Sequence, residues 1–427
     1  MTNLFRFFAL IFIALGAMAL SCHTYSTQPG GVPSNPLNLH AVLVTPNEVQ
    51  IAWSNPAAAN NVYRLVRNGA VLFDSLAIPK NDSSFTYKDS GVVVPSTQYT
   101  YKLYRVLSND SSSLTVTTLP VSRDNYNFTE TNIGIGGSII YSIWGASPQS
   151  IWLVGLIDTM TDKRNSNVLH IQNGLTTYYQ LLGGSPIYYS VYGLNDSDIY
   201  FGGQSILWHW NGTIFDYSVP FLNDSVTMQV GIITGLWVSS NDEVFCGDNN
   251  GNIVHRKNGT WINEPTGTTE IVWNIYGFNA TDVYAACSWS NIDGTVLHYT
   301  QNGWSTLVQS DSTNGFPAIN SVYGVSDDSL IAVGAGVMHR VGNTWQNRQP
   351  QNEVWAYLED VKSLADNNYW ICGYYGFIAH WDGLQYVIYN NYYNLNSSLA
   401  FYHILQFPND VFIVGADNNT AWFVHGS

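Results

Sequence analysis

The chain has 427 residues, and its 15 Lys and Arg against 30 Asp and Glu give a formal net charge of −15, which argues against nucleic acid or an acidic membrane surface as a partner. Aromatic residues at 14%, 36 Gly and only 11% charged residues exclude a disordered chain or a coiled coil and favour β structure with many tight turns. The length exceeds one ordinary domain.

Residues 1–21 read as a signal peptide: Arg6 supplies a positive charge, and Phe7 to Leu20 form an apolar run too short to span a bilayer. Two cleavage readings stand. Ala17-Met18-Ala19 fits the small-x-small rule of ordinary secretion, whereas Ala19-Leu20-Ser21-Cys22 resembles a bacterial lipobox with its Leu two, rather than three, places before the Cys. We favour the lipobox, which makes Cys22 the lipid attachment residue and residues 22–35 a lipidated tether. The expected location is then the bacterial cell envelope, at the outer membrane or cell surface. The other cleavage would give a secreted or periplasmic protein. Ser26 to Asn35 is polar and contains Pro and Gly, as a flexible tether would be.

Strict alternation begins with Val49 to Trp53 and returns in Tyr63 to Arg67, Phe85 to Asp89 and Tyr99 to Leu103, each the pattern of a half-buried strand. Asn68-Gly69 predicts a tight hairpin turn. Residues 36–118 therefore read as a sandwich of about seven short strands. The run Val94-Pro95-Ser96-Thr97-Gln98-Tyr99-Thr100-Tyr101 resembles the entry into strand F of fibronectin type III domains. That resemblance implies that Tyr99 is a corner tyrosine bonding back to the main chain, that Trp53 is the buried strand-B tryptophan, and that the domain is a spacer or docking module.

Residues 125–427 repeat. His170, His209, His255, His298, His339, His380 and His425 each close a short apolar run, at spacings of 39 to 46 residues, the length of a four-stranded propeller blade. Each is preceded by a phrase such as Tyr141-Ser142-Ile143-Trp144-Gly145 or Asn320-Ser321-Val322-Tyr323-Gly324, then a polar turn and an apolar strand, and most are followed by a turn such as Asn173-Gly174. Seven copies predict a seven-bladed β-propeller. Since the last copy stops at Ser427 without room for an outermost strand, Asn127 to Thr131 is expected to supply it and close the ring. The phrases resemble the Trp-Gly and Asp-box-like repeats of sialidase and photosystem-assembly-factor propellers. The fold class is thus all-β, a fibronectin type III-like β-sandwich plus a seven-bladed β-propeller.

Repetition also argues against several chemistries. Seven equivalent His spread around a ring cannot converge on one ion, so they are expected to satisfy buried main-chain groups. Trp144, Tyr192, Trp237, Tyr276 and Tyr323 are expected to pack between blades rather than stack on sugars, and Asp198, Asp242, Asp282, Asp328 and Asp410 to form turns rather than bind calcium. Arg164, Arg256, Arg340 and Arg348 do not form the cluster a sialidase needs, and no carboxylate pair is marked for glycoside hydrolysis. Cys246, Cys287 and Cys372 fall in equivalent strands and read as buried free thiols. No catalytic residue, metal or cofactor is indicated.

Function is sought where the copies differ, in the loops Thr161 to Arg164 and Ser288 to Asp293 and in the connections between copies. Trp289, Tyr178, Tyr179, Tyr392 and Tyr393 are the candidate ligand-binding residues, amphipathic rings suited to a protein or glycan. The leading expectation is a monomeric, envelope-anchored recognition protein that binds no nucleic acid and meets the membrane through its lipid. A carbohydrate-active enzyme built from non-repeated residues and a structural envelope component are the alternatives.

Overall fold

The computed structural model describes residues 35–427 apart from 56–59, 81, 91–92, 109, 159–164, 183–186, 221–229, 241–242, 290–292, 311–315, 351–355 and 394–397. The leader, Cys22 and the tether as far as Ser34 lie outside the described residues, as do Asp242 and the loop 161–164.

Every regular element among the described residues is a strand. The first seven make two antiparallel sheets. His40–Val44, Glu48–Ser54 and Ser84–Ser90 form one, and Ala70–Ile78, Asn61–Arg67, Gln98–Arg105 and Ser111–Thr117 lie side by side in the other. Alternation dictates the burial: along Gln98–Arg105 the side chains of Tyr99, Tyr101 and Leu103 point into the core while Gln98, Thr100 and Lys102 are exposed. Val49, Ile51 and Trp53 of the first sheet share one core with Tyr63, Leu65 and Tyr101 of the second. Trp53 packs against Tyr63 and Phe85 at centroid distances of 5.8 and 5.1 Å. The main-chain N–H of Val94 donates to the Tyr99 hydroxyl at 3.0 Å. Asp89, turned inward by the same alternation, takes two bonds of 2.8 Å from Arg67 and one of 2.7 Å from the Tyr101 hydroxyl, so its buried charge is paired.

The remaining strands form seven four-stranded antiparallel sheets. We number them I to VII by their inner strands: Ile139–Ser147, Ser190–Asn195, Ile233–Ser240, Ile271–Asn279, Ile319–Ser326, Leu358–Ala365 and Ala400–Gln406. Each inner strand packs against the next and the seventh against the first, so the sheets form a closed ring, a β-propeller. The outermost strand of sheet VII is Phe128–Ile133, which comes from ahead of sheet I and pairs with Ala421–Gly426. The second strands carry the apolar runs; Ser329–Gly334 and Val411–Ala416 are buried along their whole length. Cys246, Cys287 and Cys372 sit in such strands as buried free thiols.

The two-sheet domain lies against one face of the ring. Val42, Leu43 and Ala52 bury Val341, which ends the third strand of sheet V, Val337–Val341. Arg348 reaches Glu48 at 3.2 Å, and Lys88 meets the other oxygen of Glu48 at 2.6 Å. The connecting segment is laid on sheet VI: Ser122 donates its hydroxyl to the Asn367 carbonyl at 2.7 Å and its N–H to the Asp382 carbonyl at 3.0 Å. Apart from that of Arg348, which follows the fourth strand of sheet V, these contacts fall at or beside turns between first and second or third and fourth strands. The inner strands begin at the opposite face.

Candidate functional site

The repeated His are built into the sheets by side-chain partners. In sheets II, IV and VII the ring Nε2 of His209, His298 and His425 meets Asp198, Asp282 and Asp410 at 2.8, 2.8 and 2.7 Å. His255 meets Glu243 at 2.5 Å, His170 and His339 meet Ser150 and Ser329, and His380 meets Asn368. Most of these rings also stack on an aromatic side chain of the second strand, such as Tyr284 under His298 at 4.3 Å and Phe245 under His255 at 3.8 Å. This corrects the expectation that the His satisfy main-chain groups. It also corrects the turn-forming role of Asp198, Asp282 and Asp410, which are the partners of those His. In sheet V the partner is Ser329 rather than Asp328, whose carbonyl takes the Gly342 N–H across a turn.

A second set of polar side chains, the second residue of each inner phrase or its neighbour, links the sheets around the ring. Ser142 accepts from the Val191 N–H, Ser190 donates to the Ile233 carbonyl, and Thr234 donates to the Val272 carbonyl. Asn274 then accepts from the Val322 N–H, Ser321 donates to Asp360 at 2.7 Å, and Asp360 accepts from the Ile404 N–H at 2.9 Å. His403 closes the belt on Ser142 at 2.7 Å.

Sheets VI and VII therefore break the symmetry of the repeat, with Glu359, Asp360, Lys362 and His403 where the other copies carry neutral residues. Sequence reasoning saw no carboxylate pair, yet Glu359 and Asp360 are adjacent. The signal was in the phrase Glu359-Asp360-Val361-Lys362-Ser363 itself, the one most charged.

Asp360 is nevertheless saturated, taking Ser321, Lys362 on both oxygens at 2.9 Å, the Ile404 N–H, and His403 at 3.3 Å. Burial alone would raise its pKa, but His403 and Lys362, with the Ile404 N–H, hold it below the usual carboxylate range. Ser142, His403 and Asp360 stand in hydrogen-bonded series like a nucleophile, a base and its orienting acid. Ser142 is only 2% exposed, however, and the same position bridges sheets in the copies without a His, so the series is part of the belt.

The inner strands enclose a cavity of about 260 Å³. At its mouth, where the inner strands begin, stand the first residues of the phrases, including Tyr141, Tyr189, Trp273, Glu359 and Tyr402. Tyr141 lies between Tyr189 and Tyr402, with centroids 4.8 and 5.5 Å away. Asn320 fixes Glu359: its Oδ1 accepts from Ser288 and Tyr357 at 3.0 and 3.1 Å, which turns its amide N–H toward Glu359 at 3.0 Å. Burial, with the neighbouring Asp360, outweighs the hydrogen bonds from Asn320 and Tyr374 and pushes the Glu359 carboxyl up to about 7. No Lys, Arg or His among the described residues forms an ion pair with it.

The predicted ligand residues are dispersed. Trp289 is 56% exposed, next to Ser288, and Tyr178 is exposed on the outer strand Leu175–Tyr179. Tyr179 packs on Trp152 and Phe215. Tyr392 is buried against Phe401 and Trp422, and Tyr393 packs on Phe377, so both serve the core rather than a ligand. Of the inner aromatics, Trp144, Tyr192 and Tyr323 both pack between sheets and line the cavity. Arg256 and Arg340 each follow the repeated His, in different sheets.

No family model and no curated protein matches the chain. Among solved structures, YCF48 bound to a D1 peptide superposes with a TM-score of 0.54 at 15% identity, covering 71% of this chain and 98% of that one. The WD40 β-propeller domain of Doa1 gives 0.53 at 13% identity, covering 71% and 97%. YCF48 from Cyanidioschyzon merolae gives 0.50 at 14%, covering 69% and 98%. At these identities the likeness is one of fold, a β-propeller.

Proposed function

We propose that this is a protein-binding propeller, a recognition protein of the bacterial envelope that takes an extended protein segment across the aromatic mouth of its ring. The observation that carries the reading is the set of Tyr141, Tyr189, Trp273 and Tyr402 around an open cavity that no residue of the N-terminal domain lines. Half-buried aromatic rings of this kind give large contact area at low entropic cost. A propeller of the same fold has been seen with a peptide bound, which supports the reading by analogy only. The carbohydrate-active alternative is disfavoured because Asp360 has no free lone pair for a sugar or a water.

In this reading the ring is a seven-bladed propeller and the N-terminal domain a fibronectin type III-like spacer. The buried Trp53 and the bond from Val94 to the Tyr99 hydroxyl are what that family's pattern asks for. Cys22 carries lipid and holds the assembly at the membrane by its tether.

Panning a random peptide library on the full chain and on a Trp273→Ala/Tyr402→Ala variant tests the central claim. Peptides that lose at least tenfold in affinity for the variant are expected. Peptides indifferent to it would sink the claim, and mouth-dependent signal on a glycan array with none from peptides would reassign the site to sugars. The mass of the mature N-terminus, compared with a Cys22→Ala variant, tests the anchor. An unmodified N-terminus at Leu20 would make the protein a secreted or periplasmic one.

A further inference from the structure

Resting on the protein-binding reading, we infer that the mouth of the ring selects a positively charged side chain, a lysine ammonium or arginine guanidinium, on the bound segment. Three observations converge. Glu359 is a half-buried carboxylate whose hydrogen bonds come from neutral groups, the Asn320 amide and the Tyr374 hydroxyl. Lys362, three residues along the same strand, is held by both oxygens of Asp360 and is not available to it. Aromatic rings stand near this anion: Tyr374 donates to it, Tyr357 lies 6.2 Å from Tyr374, and Tyr402, 5.5 Å from Tyr141, is close enough to feel its charge.

A carboxylate left without a counter-charge in such a place is costly. A cation supplied by a partner removes the cost while meeting ring faces that attract it. The net charge of −15 draws basic segments toward the protein from a distance. Burial further raises the Glu359 carboxyl, as already described, which is what a missing counter-ion leaves behind. An anionic or purely apolar side chain would gain nothing from Glu359. The cavity, about 260 Å³, has room for an extended side chain.

The test uses the peptide selection on the full chain, adding Glu359→Gln as a second target. The expected result is a Lys or Arg at one fixed position of the mouth-dependent peptides, with at least a tenfold loss of affinity on Glu359→Gln and on replacing that residue by norleucine. Mouth-dependent peptides with no basic position, or unaffected by Glu359→Gln, would overturn the cation inference and leave the protein-binding reading standing. No mouth-dependent peptide at all would overturn both.

Should Glu359→Gln fold poorly, the wild-type protein gives a second readout with a selected peptide free of His. Its affinity should rise between pH 6 and pH 8 as Glu359 loses its proton. The other groups facing Glu359 are Asp360 and Lys362, which are paired with each other; His403, which burial pushes down to about 4; and Tyr357, Tyr374, Tyr141 and Tyr402, whose hydroxyls burial pushes up. A flat affinity across this window would count against Glu359 as the anion.

Discussion

Trp144 of sheet I covers Gly193 of sheet II so closely that a Cβ on residue 193 would lie 2.9 Å from three atoms of the indole ring. Trp237 and Gly277 repeat the relationship between sheets III and IV, at 2.7 Å, so in these two pairs the aromatic-Gly phrase seats one sheet on the next. Gly193→Ala is expected to destabilise the ring by about 1–3 kcal/mol, the range for overpacking a filled core, although alanine would otherwise suit a strand better than glycine. Urea denaturation checks this, and adding Trp144→Leu should recover part of the loss. Additive effects of the two changes would show that the rings and glycines do not act as pairs.

His255 and Glu243 offer the clearest test of the His pairs, because His255 is fully buried and its Nε2 lies 2.5 Å from the carboxylate. Replacing His255 by Leu strands the Glu243 carboxylate without its donor, at an expected cost of about 1–3 kcal/mol. The double variant His255→Leu/Glu243→Leu should be more stable than the sum of the singles predicts. A double-mutant cycle with no coupling would reduce the pair to a coincidence of spacing.

Much of the ring was legible because its signals are local: an apolar run ending in His, a turn with Asn-Gly, and a phrase with aromatic and Gly recur at a fixed interval. What the His does was hidden, because its partner lies on the neighbouring strand, 10 to 20 residues earlier. The partner is Asp198, Asp282 or Asp410 in three sheets, Glu243 in a fourth, and Ser or Asn in the rest. The mouth was hidden for a different reason. Aromatics at the fourth position of the phrase drew attention, whereas the first position, Tyr141, Tyr189, Trp273, Glu359 and Tyr402, rims the cavity, and this becomes visible only when the sheets are arranged in a circle. The paired tyrosines part company in the structure: neighbours on a strand face opposite ways, so Tyr178 is exposed while Tyr179 packs inward, whereas Tyr392 and Tyr393 both pack inward.

Val341 is 1% exposed beneath Val42, Leu43 and Ala52, so an Asp at this position would bury an unpaired charge between the N-terminal domain and the ring. Val341→Asp is expected to separate the two, turning a single calorimetric transition into two and opening residues 118–127 to protease. A single transition with unchanged protease resistance would show that the hydrogen bonds of Ser122 and the pairs at Glu48 hold the domains together without the apolar contact.

Glu359 makes the stability of the ring depend on pH in a direction opposite to that of most carboxylates. Its pKa in the folded protein is about 7, above its ordinary value of 4.5, so the folded state holds the proton more tightly than the unfolded chain does. The stabilisation this gives is complete below pH 4.5 and is lost as pH rises through 7. Glu359→Gln keeps a neutral amide at every pH and should match the wild type near pH 4.5 but exceed it at pH 8, by about 1–2 kcal/mol once solvent at the mouth is allowed for. Thermal midpoints of both proteins from pH 4.5 to 8 provide the measurement. Parallel curves would mean that Glu359 ionises as an ordinary surface carboxylate, whereas curves that diverge between pH 4.5 and 7 and converge again when a basic peptide is added would tie the cost of this carboxylate to its missing counter-ion.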